Sequence, residues 1–175
     1  VITARGKSFS AGADVEWMKR AAGFSEEENF ADARNLGCLL YRLNTLPLPT
    51  IAMIQGYCVG GGLALALNTD IRIATEDSVF AIPAAKLGLG YGYESIKTLT
   101  SIVGPSFAKD ILYSARFLKT EEALRIGLVN QVVSREEHRE KVLDYAVTVA
   151  GNAPLTIKSI KAAVSQVVKD PGQAS

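Results

Sequence analysis

The sequence has few of the residues on which metal, disulfide and histidine-dependent sites rely. Its 175 residues include one histidine and two cysteines. A Ser-His-Asp or Cys-His hydrolase would have to use that single histidine, and a histidine-based metal site would lack ligands. Cys38 and Cys58 lie in apolar sequence and show neither a metal-ligand spacing nor a disulfide framework. We therefore predict no metal site, and we expect both thiols to be buried.

The single histidine, His138, lies in a run of charged residues at positions 134–141. Such a run is typical of a solvated helix face. We therefore expect His138 to be exposed and to take no part in catalysis, which also argues against a serine peptidase.

The sequence also lacks an excess of charge of either sign and a long apolar run. With 19 Lys and Arg against 18 Asp and Glu, its net charge of +1 creates no overall field that selects nucleic acid or an acidic membrane. No apolar run approaches the roughly 20 residues of a membrane span. Residues 1–5 resemble neither a signal peptide nor a transit peptide. We predict that the protein binds neither nucleic acid nor a membrane, and that it is cytoplasmic, or in the mitochondrial matrix if eukaryotic.

Apolar spacing predicts strands that alternate with helices. A capping box of Ser25 and Glu28 begins a long amphipathic helix that ends before Pro47. The alternation is typical of parallel β/α units, so we predict an α/β fold with a β/α core over residues 1–133 and a helical region over residues 134–175. The predicted strands span residues 1–3, 50–54, 71–74, 79–82 and 128–133. The further predicted helices span residues 63–68, 95–103, 105–113 and 120–126, a segment that a capping box of Ser134 and Glu137 begins and that ends near Gly151, and a segment from Pro154 on.

Two glycine-bearing turns are the most informative local feature. The first covers residues 10–14, and the second, residues 56–62, joins a predicted strand to a predicted helix. Each can present a bare backbone N–H, and two such donors can hold the charge that develops on a carbonyl oxygen, at roughly 3 kcal/mol per donor. The glycine triplet 60–62 is by itself equally consistent with a tight turn. No Lys-Ser or Lys-Thr follows it, and residues 88–92 lack the G-x-G-x-x-G spacing, which argues against nucleotide hydrolysis and hydride transfer.

A set of segments and single residues forms a signature: residues 8–14 (SFSAGAD), 49–62 (PTIAMIQGYCVGGG), 70–74 (DIRIA) and 122–129 (EALRIGLV), with Phe80, Pro83, Leu87 and Gly88. This set closely resembles the crotonase superfamily, the enoyl-CoA hydratase/isomerase family. The resemblance implies a right-handed spiral of β/α turns, with C-terminal helices that assemble homotrimers, often paired into hexamers. It implies an acyl-CoA thioester as the partner and no cofactor besides the coenzyme A of the substrate. Relative to the family, the chain lacks an N-terminal strand segment and the last helices, so we expect it to be part of a longer chain.

The resemblance also assigns roles to residues of the two turns. It implies that the N–H groups of Ala13 and Gly61 form an oxyanion hole for the thioester carbonyl. Trp17, Met18 and Phe24, with the tyrosine of the second turn, either shape the acyl pocket or belong to the core or a lid. The other predicted substrate-binding residues are Lys7, which would meet a CoA phosphate, and Ser10, Ala11, Gly12, Asp14, Tyr57 and Gly60.

Both carboxylates that hydratases of this family use are replaced in this chain. One lies two residues after the glycine triplet and the other follows the proline after the third strand, and these positions hold Ala64 and Ala84. Each acid-base group is typically worth about 10²–10⁴-fold in rate, so we do not expect efficient hydration by the usual mechanism. Our candidate for the acid-base group is Glu94, with Tyr91 or Tyr93 as proton donor. An acidic residue at position 94 is also typical of a helix N-terminus.

Two functional hypotheses follow. The first is an acyl-CoA-processing enzyme, a lyase or isomerase of fatty acid metabolism that stabilises a thioester enolate and uses non-standard proton chemistry. The second is a non-catalytic acyl-CoA-binding or scaffolding protein that has kept the fold and the oxyanion hole but lost the carboxylates.

Overall fold

The computed structural model describes residues 1–169, which form six strands and eight helices. The strands are β1 (Ile51–Ile54), β2 (Tyr57–Val59), β3 (Ile71–Thr75), β4 (Val79–Ala81), β5 (Leu118–Lys119) and β6 (Gln131–Val133). The helices are α1 (Val15–Ala21), α2 (Glu26–Asn44), α3 (Gly61–Leu67), α4 (Ala84–Leu87), α5 (Tyr93–Ser114), α6 (Thr120–Arg125), α7 (His138–Ala150) and α8 (Pro154–Lys169). The last six residues of the predicted C-terminal region, 170–175, lie outside the described residues.

The strands form two sheets that the chain visits in turn. One sheet has the order β1-β3-β6 and is parallel throughout. The other has the order β2-β4-β5, in which β2 and β4 are parallel and β5 is antiparallel to β4. After β1 and β2 the chain passes through α3 into β3 and β4. This β/α turn adds β3 to the sheet of β1 and β4 to the sheet of β2. This stacking confirms the predicted α/β spiral core.

The N-terminal segment lies beside these strands without forming a full strand itself. Ile2 makes a single parallel bridge to Ala52, and Ser10 makes another to Cys58. The strand predicted over residues 1–3 is therefore reduced to one bridge. The second bridge matters more, because it fixes the first glycine turn against β2.

The core lies between α3, α5 and the strands. Leu63 of α3, Phe80 of β4 and Leu99 of α5 are fully buried in one cluster. Strands of parallel sheets covered on both faces are continuous apolar runs rather than alternating ones, which explains why β1 reads Ile-Ala-Met-Ile. Two predicted helices are joined in α5, where Gly104 (φ 77°) and the following Pro105 make the predicted break a kink within one helical segment.

Two sequence expectations about burial are wrong. His138 is 3% exposed, and its Nε2 donates to the carbonyl oxygen of Ile73 at 3.1 Å, because the start of α7 lies against β3. Burial lowers the pKa of His138 below its ordinary value. Cys38 is exposed, because it lies on the outer face of α2, whereas Cys58 is buried in β2 as expected.

The outer helices α2 and α8 leave much of their apolar stripes exposed. In α2, the capping box of Ser25 and Glu28 is present as predicted, but only Leu40 and Leu43 are buried. In α8, the polar anchor is Lys161, whose Nζ donates to Asp70 Oδ2 at 2.7 Å. None of the helices in residues 1–169 combines the length and the apolar content that a membrane span needs.

Candidate active site

The two glycine turns meet at the end of β2. Ser10 N donates to Tyr57 O at 2.9 Å, and Val59 N donates to Ser10 O at 2.9 Å. Gly12 has a φ of 104°, and a Cβ on it would lie 3.2 Å from Val59 O. Strand-like pairing on one side and a close approach on the other therefore hold the first turn against the second.

Each glycine of the triplet 60–62 stands in a different environment. Gly60 has a φ of 54° and turns the chain from β2 into α3, while its N–H donates to Ala81 O at 2.8 Å. A Cβ on Gly62 would overlap the Cβ of Ser10, so only glycine fits there. A Cβ on Gly61 would meet nothing within 4 Å. Backbone conformation therefore favours glycine at position 60 and packing requires it at position 62, and Gly61 is left with open space in front of it.

The backbone N–H groups of Ala13 and Gly61 are free donors. Within residues 1–169, neither donates to a backbone or side-chain acceptor. For Gly61 the reason is its place at the start of α3, where the first N–H groups have no partner inside the helix. Both residues line the same cavity. The structure thus brings two unpaired amide donors to one space.

That cavity has a volume of about 590 Å³. Its wall is made by the two glycine turns, one face of α1 and the segment from β4 through α4 to Tyr91. Of the lining residues, only Lys19 and Tyr91 carry an ionisable group, and no Asp or Glu is among them. The lining residues are Ala11, Gly12, Ala13, Val15, Met18, Lys19, Val59, Gly60, Gly61, Ile82, Pro83, Ala84, Leu87, Leu89, Gly90 and Tyr91.

The whole chain, residues 1–175, matches the family model described as enoyl-CoA hydratase/isomerase. The chain belongs to this family. It is 37% identical over 171 residues to the short-chain-enoyl-CoA hydratase of Clostridium acetobutylicum, which covers 95% of this chain and 63% of that protein. It is also 37% identical, over 168 residues, to the crotonyl-CoA hydratase of Syntrophomonas wolfei, with the same two shares.

Solved structures of the family agree with the fold. The crystal structure of an enoyl-CoA hydratase from Bacillus anthracis has a TM-score of 0.88 to this chain at 32% identity, covering 95% of this chain and 64% of that one. An enoyl-CoA hydratase/carnithine racemase from Magnetospirillum magneticum has a TM-score of 0.89 at 32% identity and covers 99% and 64%. The chain thus spans less than two thirds of the length of each relative named here.

The two alanines that we predict to occupy the glutamate positions of hydratases differ in their environment. Ala84 is the first residue of α4 and lines the cavity. Ala64 is buried inside α3, and its carbonyl oxygen accepts a hydrogen bond from Asn68 Nδ2 at 2.8 Å. Neither position offers a group that can carry a proton.

Tyr91 is the one ionisable side chain of the cavity wall that is withdrawn from solvent. Its ring packs against the core, and its hydroxyl is buried without a hydrogen-bond partner among the described residues. Burial, with a smaller contribution from Cys58, raises the pKa of Tyr91 to about 12. The phenol is therefore neutral near pH 7, and it can donate a hydrogen bond but cannot serve as a base.

Some predicted site residues lie away from the cavity. Lys7 is exposed, and its carbonyl oxygen accepts from Arg135 at 3.3 Å. Tyr57 is half-exposed and stacks edge to face on Phe117 at 6.3 Å. Glu94 is exposed in the first turn of α5, where the helix-terminus interpretation fits and its acid-base role stays a prediction. Ser10, Asp14 and Ala64 are also outside the lining, whereas Ala11, Gly12, Ala13, Gly60, Gly61, Ala84 and Tyr91 are part of it.

Asp14 and Ser10 support the site instead of lining it. Asp14 Oδ1 accepts from Trp17 N at 2.8 Å and so caps α1, while the Ser10 side chain fills the space beside Gly62. The face of α1 toward the cavity was foreseen only at Met18. Val15 and Lys19 also line the cavity from α1. Their helical spacing to Met18 was the signal in the sequence that could have identified them as lining residues.

Proposed function

We propose that this protein binds an acyl-CoA thioester and stabilises its enolate with the backbone N–H groups of Ala13 and Gly61. The single observation that carries the proposal is the pair of unpaired amides at one apolar cavity. Donors fixed in the cavity wall need no reorganisation when charge develops on the oxygen, and each is typically worth roughly 3 kcal/mol. Family membership supports the same substrate class.

The cavity wall suggests how such a substrate would lie. Ala11, Gly12 and Gly60 leave room for the thioester beside the two donors, and Lys19, whose Nζ lies 3.1 Å from Glu16 Oε1, brings a largely exposed cation to the cavity. Coenzyme A would enter as part of the substrate, and we propose no other cofactor. We also propose that the full-length protein forms the homotrimer or hexamer that the family resemblance implies.

Among residues 1–169, the cavity lining lacks the proton-carrying groups of the usual hydration mechanism. The usual mechanism uses two carboxylates, and in the described residues the cavity wall holds none. An enolate-stabilising site without them suits reactions in which another group or solvent handles the proton. The same observation favours a second candidate function, a non-catalytic acyl-CoA-binding or scaffolding role.

Two measurements separate these functions. The affinity of the full-length protein for crotonyl-CoA is measured by calorimetry, and mass spectrometry then looks for the mass of one added water. Tight binding with rapid adduct formation would mean that another group replaces the glutamates. Binding without any change in a panel of acyl-CoA thioesters would favour the non-catalytic role, and no binding at all would contradict the proposal.

The oxyanion hole is tested by a matched pair at position 61. Gly61→Ala keeps the N–H, and its Cβ would meet nothing within 4 Å. Gly61→Pro removes the donor at the first helical position, where proline is tolerated. We expect the alanine variant to keep whatever turnover is found and the proline variant to lose roughly 10²–10³-fold. Equal turnover in the two variants would remove Gly61 N–H from the mechanism.

The missing carboxylate is tested at Ala84, which lines the cavity. Ala84→Glu would supply a proton-carrying group there, whereas Ala84→Gln adds the same volume without one. We expect the glutamate variant to hydrate crotonyl-CoA faster than the glutamine variant. No difference between them would mean that a carboxylate at this position cannot reach the reacting atoms.

A further inference from the structure

The segment 88–92 is held to the rest of the molecule by few backbone interactions. It carries glycine at positions 88, 90 and 92, and a Cβ at any of these would meet nothing within 4 Å. Gly88 has a φ of 66°, which ends α4. The N–H groups of Gly90, Tyr91 and Gly92 donate to no acceptor within the described part of the chain. The backbone here has both the conformational freedom and the space to move.

The ring of Tyr91 holds this segment against the rest of the molecule. The ring packs against the main core cluster and at the same time lines the cavity. Its hydroxyl, however, is buried with no partner in residues 1–169. An unpaired buried hydroxyl disfavours the position that holds it by roughly tenfold or more. The ring is therefore held by apolar packing and opposed by its own hydroxyl.

The α1 side of the cavity carries a charged side chain, whereas the side formed by residues 82–91 is apolar. Among the described residues, the only charged side chain of the lining is Lys19 of α1, whose Nζ also donates to Glu16 Oε1 at 3.1 Å. Residues 82–91 contribute an apolar wall that includes Leu87 and Leu89. A thioester whose carbonyl lies at the two free amides would place its phosphates toward the cation and its acyl chain toward the apolar wall. Tyr91 then stands on the acyl side.

We propose that Tyr91 is a specificity-determining residue that closes the acyl side of the cavity and swings away on the glycine-rich segment 88–92 to admit longer acyl chains. The inference rests on the proposed function. When Tyr91 swings away from the cavity, its ring becomes exposed to water, which is unfavourable. Its hydroxyl becomes hydrated at the same time, which is favourable. The closed position observed here suits short acyl groups, and longer chains bind at the cost of opening it.

The first test compares affinities for butyryl-CoA and dodecanoyl-CoA in the full-length protein. Tyr91→Ala removes the ring and should raise the affinity for dodecanoyl-CoA about tenfold while changing that for butyryl-CoA little. Tyr91→Phe keeps the ring without the hydroxyl, stabilises the closed position, and should lower the affinity for dodecanoyl-CoA about tenfold. Tyr113→Ala, which removes a tyrosine that is 76% exposed on α5, is the control and should change neither.

An unchanged ratio of the two affinities in Tyr91→Ala would overturn the inference and leave acyl-CoA binding intact. A shift in the same direction for Tyr91→Phe and Tyr91→Ala would overturn the role of the hydroxyl.

A second readout does not depend on acyl-CoA. Amide hydrogen exchange of Gly88 and Leu89, the two residues of the segment whose N–H groups donate to Ala84 O, should slow about tenfold in Tyr91→Phe relative to the natural chain, because the closed position is stabilised. If no acyl-CoA binds to any variant, the proposed function fails. Slower exchange in Tyr91→Phe would then still support the swing of Tyr91, and unchanged exchange would overturn it.

Discussion

Phe80 and Phe30 have the same side chain but opposite environments. Phe80 is fully buried in β4, whereas Phe30 is 69% exposed on α2. Both lie in segments with regular apolar spacing. In the core region, the neighbouring β/α turn supplies the covering surface for each apolar face. In the outer region, made of α2 and α8, the described residues supply a covering surface for only part of each stripe.

The outer region is held by different interactions from the core. Leu40 and Leu43 are the two buried residues of α2. On α8, Val164 and Ile160 are each 57% exposed, and Lys161 ties the helix down by donating to Asp70 Oδ2 and to Leu48 O. An amphipathic stripe therefore shows which face of a helix needs a partner, and it does not show where that partner is.

The largest expected effect separates the two phenylalanines. Phe80→Ala should lower the free energy of unfolding by about 3–5 kcal/mol, because it removes a fully buried ring and leaves a cavity. Phe30→Ala should change it by less than about 0.5 kcal/mol in the same chain. Urea unfolding followed by circular dichroism measures both. Similar losses in the two variants would mean that α2 is packed as tightly as the core.

The next effect distinguishes two adjacent glycines within the core region. Gly62→Ala should lower the free energy of unfolding by about 1–3 kcal/mol or more, because its Cβ would overlap Ser10 Cβ and force the first glycine turn away from α3. Gly61→Ala should be neutral or stabilising by at most about 1 kcal/mol, since it has open space and a helical conformation. Thermal unfolding of the pair gives the comparison. Equal stability would show that the Ser10 turn can move without loss.

Much of the fold could be predicted because local sequence and tertiary structure agree there. The capping box at Ser25, the break at Gly104 and the order of β1 and α3 each depend on neighbours in sequence. The short strands β2 and β5 were missed, β2 because it lies inside the predicted glycine turn, and both because their identity depends on pairing with β4 and not on their own pattern.

The site could be predicted in part for the same reason. Residues of the two glycine turns lie at the cavity because the turns themselves build it. The helical spacing of Lys19 to Met18 could have identified it, whereas the absence of Lys7 and Glu94 from the cavity lining depends on tertiary packing, which no local pattern specifies. Burial of His138 was missed because its charged neighbours face solvent while its own ring faces β3.

The smallest expected effect concerns His138, which belongs to the buried region although its sequence neighbours are charged. Burial lowers the pKa of His138, the hydrogen bond to Ile73 O opposes this, Arg135 lowers the pKa further and Asp77 raises it. The unfolded chain therefore takes up a proton near pH 6.5 that the native chain resists, and stability should decrease as the pH falls below that value.

His138→Gln keeps an N–H donor for Ile73 O but cannot titrate. The decrease should be steeper in the natural chain than in this variant when urea unfolding is measured between about pH 5 and pH 8, the range in which histidine titrates. Parallel profiles would mean that His138 is equally easy to protonate in both states, and they would contradict a lowered pKa in the native chain.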